Sequence, residues 1–377
     1  MFTAGLVMSQ RFQVSLDNAL KIGKRADFAV QLIESNAPAN IFRPGEQPRL
    51  GYQIVNTSKQ AIRTRGRVEV IRFGLQRSGN IWQPAPTIMG TIGRQPVDID
   101  LKPGQWRNLE VAPAMPEAFG GCAVVVDLGE HGRQMLTTLA KVMPVEARWV
   151  RFPTQSFQPV DGPVAGRLGL RSIRYNTGFL LPDSDPREAY EQHLDELFTE
   201  MHENNVTVLV QMSQSGEGWP LGIPRPHLDE QGLMKRGKAD RAWLPEYDDE
   251  FEEFCYWIAK NYGWPKGPIT ALNLWNEPWE GTSISGWQAD IPRYRKIYRH
   301  MADAVLRARR ETGVEVLVGG CDSAPNAWDK LFCDGTETML PWFDFVSIHY
   351  MGLRAPALYY DSAMRNRDVL GWAGLFV

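Results

Sequence analysis

The first third of the chain alternates apolar and polar residues, which is the pattern of strands with one buried face. Between about residues 26 and 145, turn sequences rich in Pro and Gly separate these stretches, at 43–48 (RPGEQP), 77–80 (RSGN) and 102–105 (KPGQ). No convincing helical repeat interrupts the region. The pattern predicts a β-sandwich over residues 1–147, and we expect an accessory role for it because it lacks a cluster of ionisable residues. The apolar positions are Phe28, Val30 and Leu32; Leu50, Tyr52 and Ile54; Val68 and Val70; Leu109 and Val111; and the pair 122–128 and 135–142.

After about residue 150, unbroken apolar runs alternate with helical repeats. Such an order predicts a parallel sheet covered by helices. No GxGxxG or GxxxxGK[ST] sequence follows a strand, so we favour a (β/α)8 barrel over a nucleotide-binding doubly wound sheet. Residues 148–377 supply five or six of the eight strands, and the barrel is expected to be incomplete at its carboxyl end. The predicted strands lie near 148–158 and at 172–181, 206–213, 269–275, 314–320 and 343–350, and the helices at 187–205, 247–263 and 290–312.

Composition removes several classes of function. With 377 residues, 43% hydrophobic residues, 23% charged residues and a net charge of −3, the chain is globular and has no basic field for a nucleic acid. No apolar run is long enough to span a membrane. The four cysteines form no CxxC pair, and His202-Glu203 does not continue into HExxH, which argues against a zinc protease. The thirteen tryptophans serve either as core residues or as stacking platforms for a ligand.

Polar side chains gather where the predicted strands end, and the carboxyl ends of barrel strands form the active-site face. The stretch 271–281 (ALNLWNEPWEG) places Asn276 and Glu277 directly after a buried run. Shielding by Trp275 and Trp279 would raise the pKa of the Glu277 carboxyl and allow it to act as a proton donor near neutral pH. Arg174 could equally be a structural ion-pair residue, and His349 alone would more often be a satisfied strand-end histidine. The other strand-end candidates are Gln211, Ser213, Asp322 and Tyr350.

The strand followed by WNEP resembles the fourth-strand motif of clan A glycoside hydrolases, the retaining (β/α)8 enzymes that include families 5, 39 and 51. The resemblance covers residues 150–352 and implies that Glu277 is the general acid/base and that Asn276 contacts the substrate 2-hydroxyl. Arg174, His349 and Tyr350 match further positions of the clan. The glycines of 318–320 (VGG) resemble those of family 39. An oligosaccharide or polysaccharide is the implied partner, with no metal or organic cofactor.

One part of the clan pattern is missing. Retention requires a second carboxylate about 5 Å from the acid, which the clan places at the end of the seventh strand. The last glutamate here, Glu337, precedes the sixth predicted strand. Two hypotheses explain the missing carboxylate: the chain is a piece of a longer enzyme, or it is a non-catalytic carbohydrate-binding protein derived from a glycosidase barrel. An adhesion module built on the sandwich is a third.

The long segment 214–246 is expected to shape the cleft, and Trp219 and Trp243 in it could either stack on a sugar or merely pin the loop. Trp279 and Trp287, in the loop after NEP, are similar candidates, and Trp275 is expected to contact the substrate as well. The function would suit an extracellular or periplasmic location, although residues 1–10 do not have the basic start of a signal peptide. The sequence indicates no oligomeric state.

Overall fold

The computed structural model describes residues 13–23, 25–76, 85–115, 117–143, 161–179, 187–213, 245–276, 291–323, 342–348 and 374–376. These residues form a mixed α/β structure with three sheets. It divides into two compact units, Met1–Glu146 and Ala147–Val377. None of the helices within the described ranges has the length and apolar character needed to cross a membrane.

The first unit contains a helix over residues 13–19 (α1) and eight strands in two sheets. A three-stranded antiparallel sheet has the order β1-β3-β6, and a five-stranded sheet has the order β2-β8-β7-β4-β5. The alternating stretches predicted from the sequence are strands, as expected. The strands are β1 Phe28–Ser35, β2 Ile41–Phe42, β3 Leu50–Asn56, β4 Ile62–Gln76, β5 Ala85–Leu101, β6 Trp106–Val111, β7 Gly120–Asp127 and β8 Arg133–Lys141.

One buried core is shared by both sheets of the first unit. It combines residues such as Phe28 and Tyr52 of the three-stranded sheet with Val68 and Val124 of the five-stranded sheet. The opposite face of the five-stranded sheet is covered by α1, where Leu16 packs near Ile71, Ala123 and Val125. Apolar side chains therefore lie on both faces of the central strands β4 and β7, which explains the unbroken apolar run of β7.

Within its described residues, the second unit contains four α-helices and six parallel strands. The sequence-based predictions for β9 to β13 and for the three long helices are confirmed, with ends that differ by a few residues. The short helix α2 and the last strand were not predicted, and the proposed strand at 148–158 lies outside the described residues. The elements are α2 Gly162–Leu168, β9 Ser172–Gly178, α3 Arg187–Glu203, β10 Thr207–Ser213, α4 Asp248–Tyr262, β11 Ile269–Asn276, α5 Ile291–Thr312, β12 Leu317–Ser323, β13 Phe345–Ile348 and β14 Gly374–Phe376.

The six parallel strands follow one another in space as they do in sequence, from β9 to β14. One face of this sheet packs on the helices in a large apolar core that includes Val210 and Leu274. The opposite face carries a smaller apolar cluster of Leu209, Ala271 and Phe345. Higher along the same strands, this second face carries the buried amides of Gln211 and Asn273, because side chains two residues apart share a face.

Candidate functional site

The candidate site lies at the carboxyl end of β11, whose last residue is Asn276. Arg174 of β9 donates a hydrogen bond from Nη2 to Asn276 Oδ1 at 2.8 Å. Since a guanidinium has donors only, the Asn276 atom it contacts must be the amide oxygen. The Nδ2 amino group of Asn276 therefore points to the other side of the amide, where it can donate to an oxygen such as a hydroxyl of a ligand.

Trp275, directly before Asn276, has an unusual backbone conformation for a large residue. Its φ is +63°, in the left-handed region that bulky side chains rarely adopt. Its side chain is only 1% exposed and belongs to the core on the helix side of the sheet. No face of the indole is therefore open to a ligand. The sequence led us to expect a ligand contact at Trp275, and its buried side chain does not fit that expectation.

The left-handed residue changes the direction of the side chains at the end of β11. Leu272 and Leu274 lie on the helix side, as alternation requires, but Trp275 lies on the helix side as well. Asn276 is then returned to the opposite face, where Arg174 also lies, because its neighbours Ile173 and Tyr175 are in the helix-side core. An irregular residue of this kind re-aims a side chain at a strand end.

Two buried hydrogen bonds hold the backbone at this irregularity. Gln211 Nε2 donates to the carbonyl oxygen of Trp275 at 2.7 Å, and Tyr294 Oη donates to the carbonyl oxygen of Leu274 at 3.0 Å. Gln211 and Tyr294 are both 0% exposed. The sequence marked Gln211 as a strand-end candidate, whereas Tyr294 lies in the predicted helix 290–312 and was not singled out. The structure assigns both to the backbone of β11.

The other predicted site residues do not fall within the described parts of the chain. These are Glu277, Trp219, Trp279, His349 and Tyr350. Asp322 of β12 lies beside Asn276 in the strand register. The predicted pair of Arg174 and Asn276 is thus the part of the site that the structure brings together. Within the described residues, no group of three or more His, Cys, Asp or Glu side chains could hold a metal ion.

A separate ionic cluster joins α4 to α5. Asp248 accepts two hydrogen bonds from the Arg293 guanidinium, at 2.6 and 2.7 Å, and lies 3.1 Å from Lys296 Nζ. Burial alone would raise the pKa of the Asp248 carboxyl, but the bonds and charge of Arg293, with Lys296 and His300, lower it below its ordinary value. Because Asp248 is the first residue of α4 and its three partners all lie on α5, we interpret the cluster as a tie between the two helices.

No protein-family model matches this sequence, and no curated protein matches it either. Among solved structures, a β-glucosidase from Listeria innocua is 13% identical with a TM-score of 0.20, over 31% of this chain and 16% of that chain. Endo-glycoceramidase II from Rhodococcus sp. is 16% identical with a TM-score of 0.36, over 55% and 57%. The sporulation control protein Spo0M from Bacillus subtilis is 12% identical with a TM-score of 0.23, over 33% and 51%.

Two of these three neighbours are glycoside hydrolases. The matched segment spans 16% of the length of the Listeria innocua enzyme. With identities and TM-scores this low, the neighbours carry no argument, and the function proposed below rests on the residues of this chain.

Proposed function

We propose that the second unit carries the acid/base part of a retaining glycoside hydrolase site, and that the chain is related to clan A of these enzymes. Glu277 is the general acid/base and Asn276 donates a hydrogen bond to the 2-hydroxyl of the sugar. His349, Tyr350, Trp219 and Trp279 are further substrate contacts in this proposal. The substrate is an oligosaccharide or polysaccharide.

The observation that carries the proposal is the hydrogen bond between Arg174 and Asn276 at the carboxyl end of a parallel strand. It fixes the amide of Asn276 with its amino group available as a donor, and Glu277 is the next residue. A neutral donor beside a carboxyl group suits sugar chemistry, because it can bind a hydroxyl oxygen without adding charge near the acid.

The strand order supports a (β/α)8 barrel as the framework. A doubly wound sheet reverses its strand order at one point, whereas barrel strands follow one another in sequence. The strands β9 to β14 keep the sequential order throughout. We therefore propose an incomplete barrel for residues 148–377 and a β-sandwich accessory domain for residues 1–147.

In the proposed mechanism, Glu277 protonates the leaving oxygen while a carboxylate attacks the anomeric carbon, and Glu277 then activates water. The nucleophile is assigned to no residue of this chain, since no glutamate follows β13. That observation favours a second candidate function, a non-catalytic carbohydrate-binding protein that uses the same cleft.

The test is binding and hydrolysis of a panel of β-glycosides by the full chain. Where the wild-type protein hydrolyses a glycoside, Glu277→Gln is expected to reduce hydrolysis of substrates with poor leaving groups by about a hundredfold or more while sparing folding. Asn276→Asp keeps an acceptor for Arg174 but removes the amino donor, so we expect it to weaken sugar binding without loss of stability. Binding without turnover would support the carbohydrate-binding protein, and absence of both would overturn the proposal.

A further inference from the structure

The left-handed conformation of Trp275 needs support from its surroundings. A bulky residue at φ +63° costs free energy relative to extended backbone. Such a cost persists only where neighbouring groups stabilise the conformation. Trp275 is the last residue before the two proposed site residues, so its conformation sets the direction in which the chain leaves β11.

The stabilising groups come from two different elements. Gln211 lies on the adjacent strand β10 and bonds to the carbonyl of Trp275, whereas Tyr294 lies near the start of α5 and bonds to the carbonyl of Leu274. Consecutive carbonyl groups are thus held from the strand side and from the helix side. Each of these buried bonds stabilises the irregular backbone, and loss of a donor would also leave a buried carbonyl unsatisfied.

Gly320 of β12 makes room for the bond from Tyr294. It pairs with Leu274 in the strand register, and a Cβ atom at this position would lie 3.1 Å from Tyr294 Oη and 3.0 Å from the ring of Tyr298. Gly319, one residue earlier, faces the other side of the sheet, where a Cβ atom would lie 2.6 Å from the ring of Phe345. The two glycines therefore serve opposite faces, and only Gly320 serves the end of β11.

We propose that Gln211 and Tyr294 are positioning residues, which hold Trp275 left-handed and thereby turn Asn276 toward Arg174 and the ligand. The inference rests on the proposed function for what Asn276 binds. Without the two donors, Trp275 would relax to extended backbone, and regular alternation would turn Asn276 to the helix side of the sheet. Gln211 and Tyr294 then act on the sugar only through the backbone of β11.

The experiment compares Gln211→Met and Tyr294→Phe with the wild-type chain. The probes are the methyl β-glycoside of the panel that binds best and its 2-deoxy analogue, measured by titration calorimetry. We expect each variant to lose about tenfold in affinity for the parent glycoside and less than about twofold for the 2-deoxy analogue, since the lost contact is the bond to the 2-hydroxyl. A crystal structure of Gln211→Met should show Trp275 in extended backbone.

Tyr298→Phe is the matched control. Tyr298 is also buried on α5, but its hydroxyl donates to Trp342 O at 3.0 Å and not to β11. It should therefore leave the discrimination between the two glycosides unchanged. Equal losses for both glycosides in all three variants would overturn the inference, because they would indicate general destabilisation.

The two proposals fail in different ways. If the wild-type chain binds no glycoside, the proposed function is wrong and the crystal structure decides the role of the two donors. Trp275 relaxed in Gln211→Met would then support the positioning role, and Trp275 still left-handed would contradict it.

Discussion

Two clusters of buried polar residues, one in each unit, act in different ways. In the first unit, Glu69 is 4% exposed and is surrounded by Arg67, Arg94 and Arg133, which join side chain to side chain across β4, β5 and β8. In the second unit, Gln211 and Tyr294 bind backbone carbonyls at one strand end. An ionic cluster of the first kind ties strands together without changing their course, whereas bonds of the second kind fix an irregular backbone.

The largest expected effect on stability comes from the buried ionic cluster around Glu69. Glu69→Gln removes the charge that three arginines share, with Glu69 Oε2 2.7 Å from Arg133 Nη1. Glu69 accepts hydrogen bonds from all three arginines, and since a bond between charged groups contributes about 1.5–3 kcal/mol, we expect a loss of about 3 kcal/mol. We expect urea denaturation to show this loss, with hydrogen exchange accelerated in β4, and glycoside affinity of the folded protein to stay at the wild-type value.

Asp98→Asn is the control for Glu69→Gln, because Asp98 pairs with Arg65 on the same hairpin with both side chains largely exposed, 79% and 92%. It should change stability by no more than about 0.5 kcal/mol. If Glu69→Gln were equally harmless, the cluster would not be a tie between strands.

A smaller, pH-dependent effect is expected at Asp248. Its pKa in the folded protein lies below the ordinary value of 3.8, so its contribution to stability is fully present above pH 3.8 and is lost as pH falls through the folded pKa. Asp248→Asn should therefore cost about 1.5–3 kcal/mol at pH 7, where Arg293, Lys296 and His300 face it, and progressively less in acid. Denaturation curves between neutral and acid pH would measure this.

The neighbouring Asp249 is exposed and serves as the control for Asp248. Asp249→Asn is expected to change stability at pH 7 by no more than about 0.5 kcal/mol. A gap between Asp248→Asn and the wild type that stays constant down to the lowest pH would contradict the assignment of the acid-sensitive contribution to Asp248.

The smallest expected loss of stability is at Gly320, but the same substitution is also expected to affect ligand binding at the proposed site. Gly320→Ala places a methyl group 3.0–3.1 Å from Tyr298 and Tyr294 Oη, which we expect to cost about 1–2 kcal/mol and to weaken the bond to Leu274. Discrimination between the parent and 2-deoxy glycosides should fall as in Tyr294→Phe. Gly93→Ala in β5, whose nearest contact would be 3.6 Å, is the control and should leave both properties unchanged. Unaltered discrimination in Gly320→Ala would show that Tyr294 does not need this space.

The periodicity of the sequence predicts β9 to β13 and the three long helices of the second unit well. Each of them buries either an unbroken apolar run or a regularly repeated apolar face. The run of β11, predicted at 269–275, is observed at Ile269–Asn276. β5 was missed, since Pro86, Gly90 and Pro96 interrupt its pattern and its strand conformation depends on pairing with β4. The three-residue strand β14 was missed for the same reason, because it depends on the edge of β13.

The site was predictable only in part. Arg174 and Asn276 could be related by their strand-end positions, and the structure places them in contact. The left-handed Trp275 could not be predicted, because no local sequence rule favours a bulky residue in that conformation. The role of Gln211 and Tyr294 could not be predicted either, because they bind the backbone carbonyls next to this irregular residue. The steric need for glycine at 319 and 320 is visible only when the side chains on both faces of β12 are known.

The helix α1 has a practical consequence for any attempt to produce shorter versions of the protein. Its Leu16 and the following Leu20 cover Ile71, Ala123 and Val125, and the carbonyl of Leu20 accepts a hydrogen bond from Arg133 Nε at 3.1 Å. A version that started at β1 would present this apolar sheet face to solvent and invite aggregation. A safe starting point for recombinant work therefore lies before residue 13, even though the first strand begins only at Phe28.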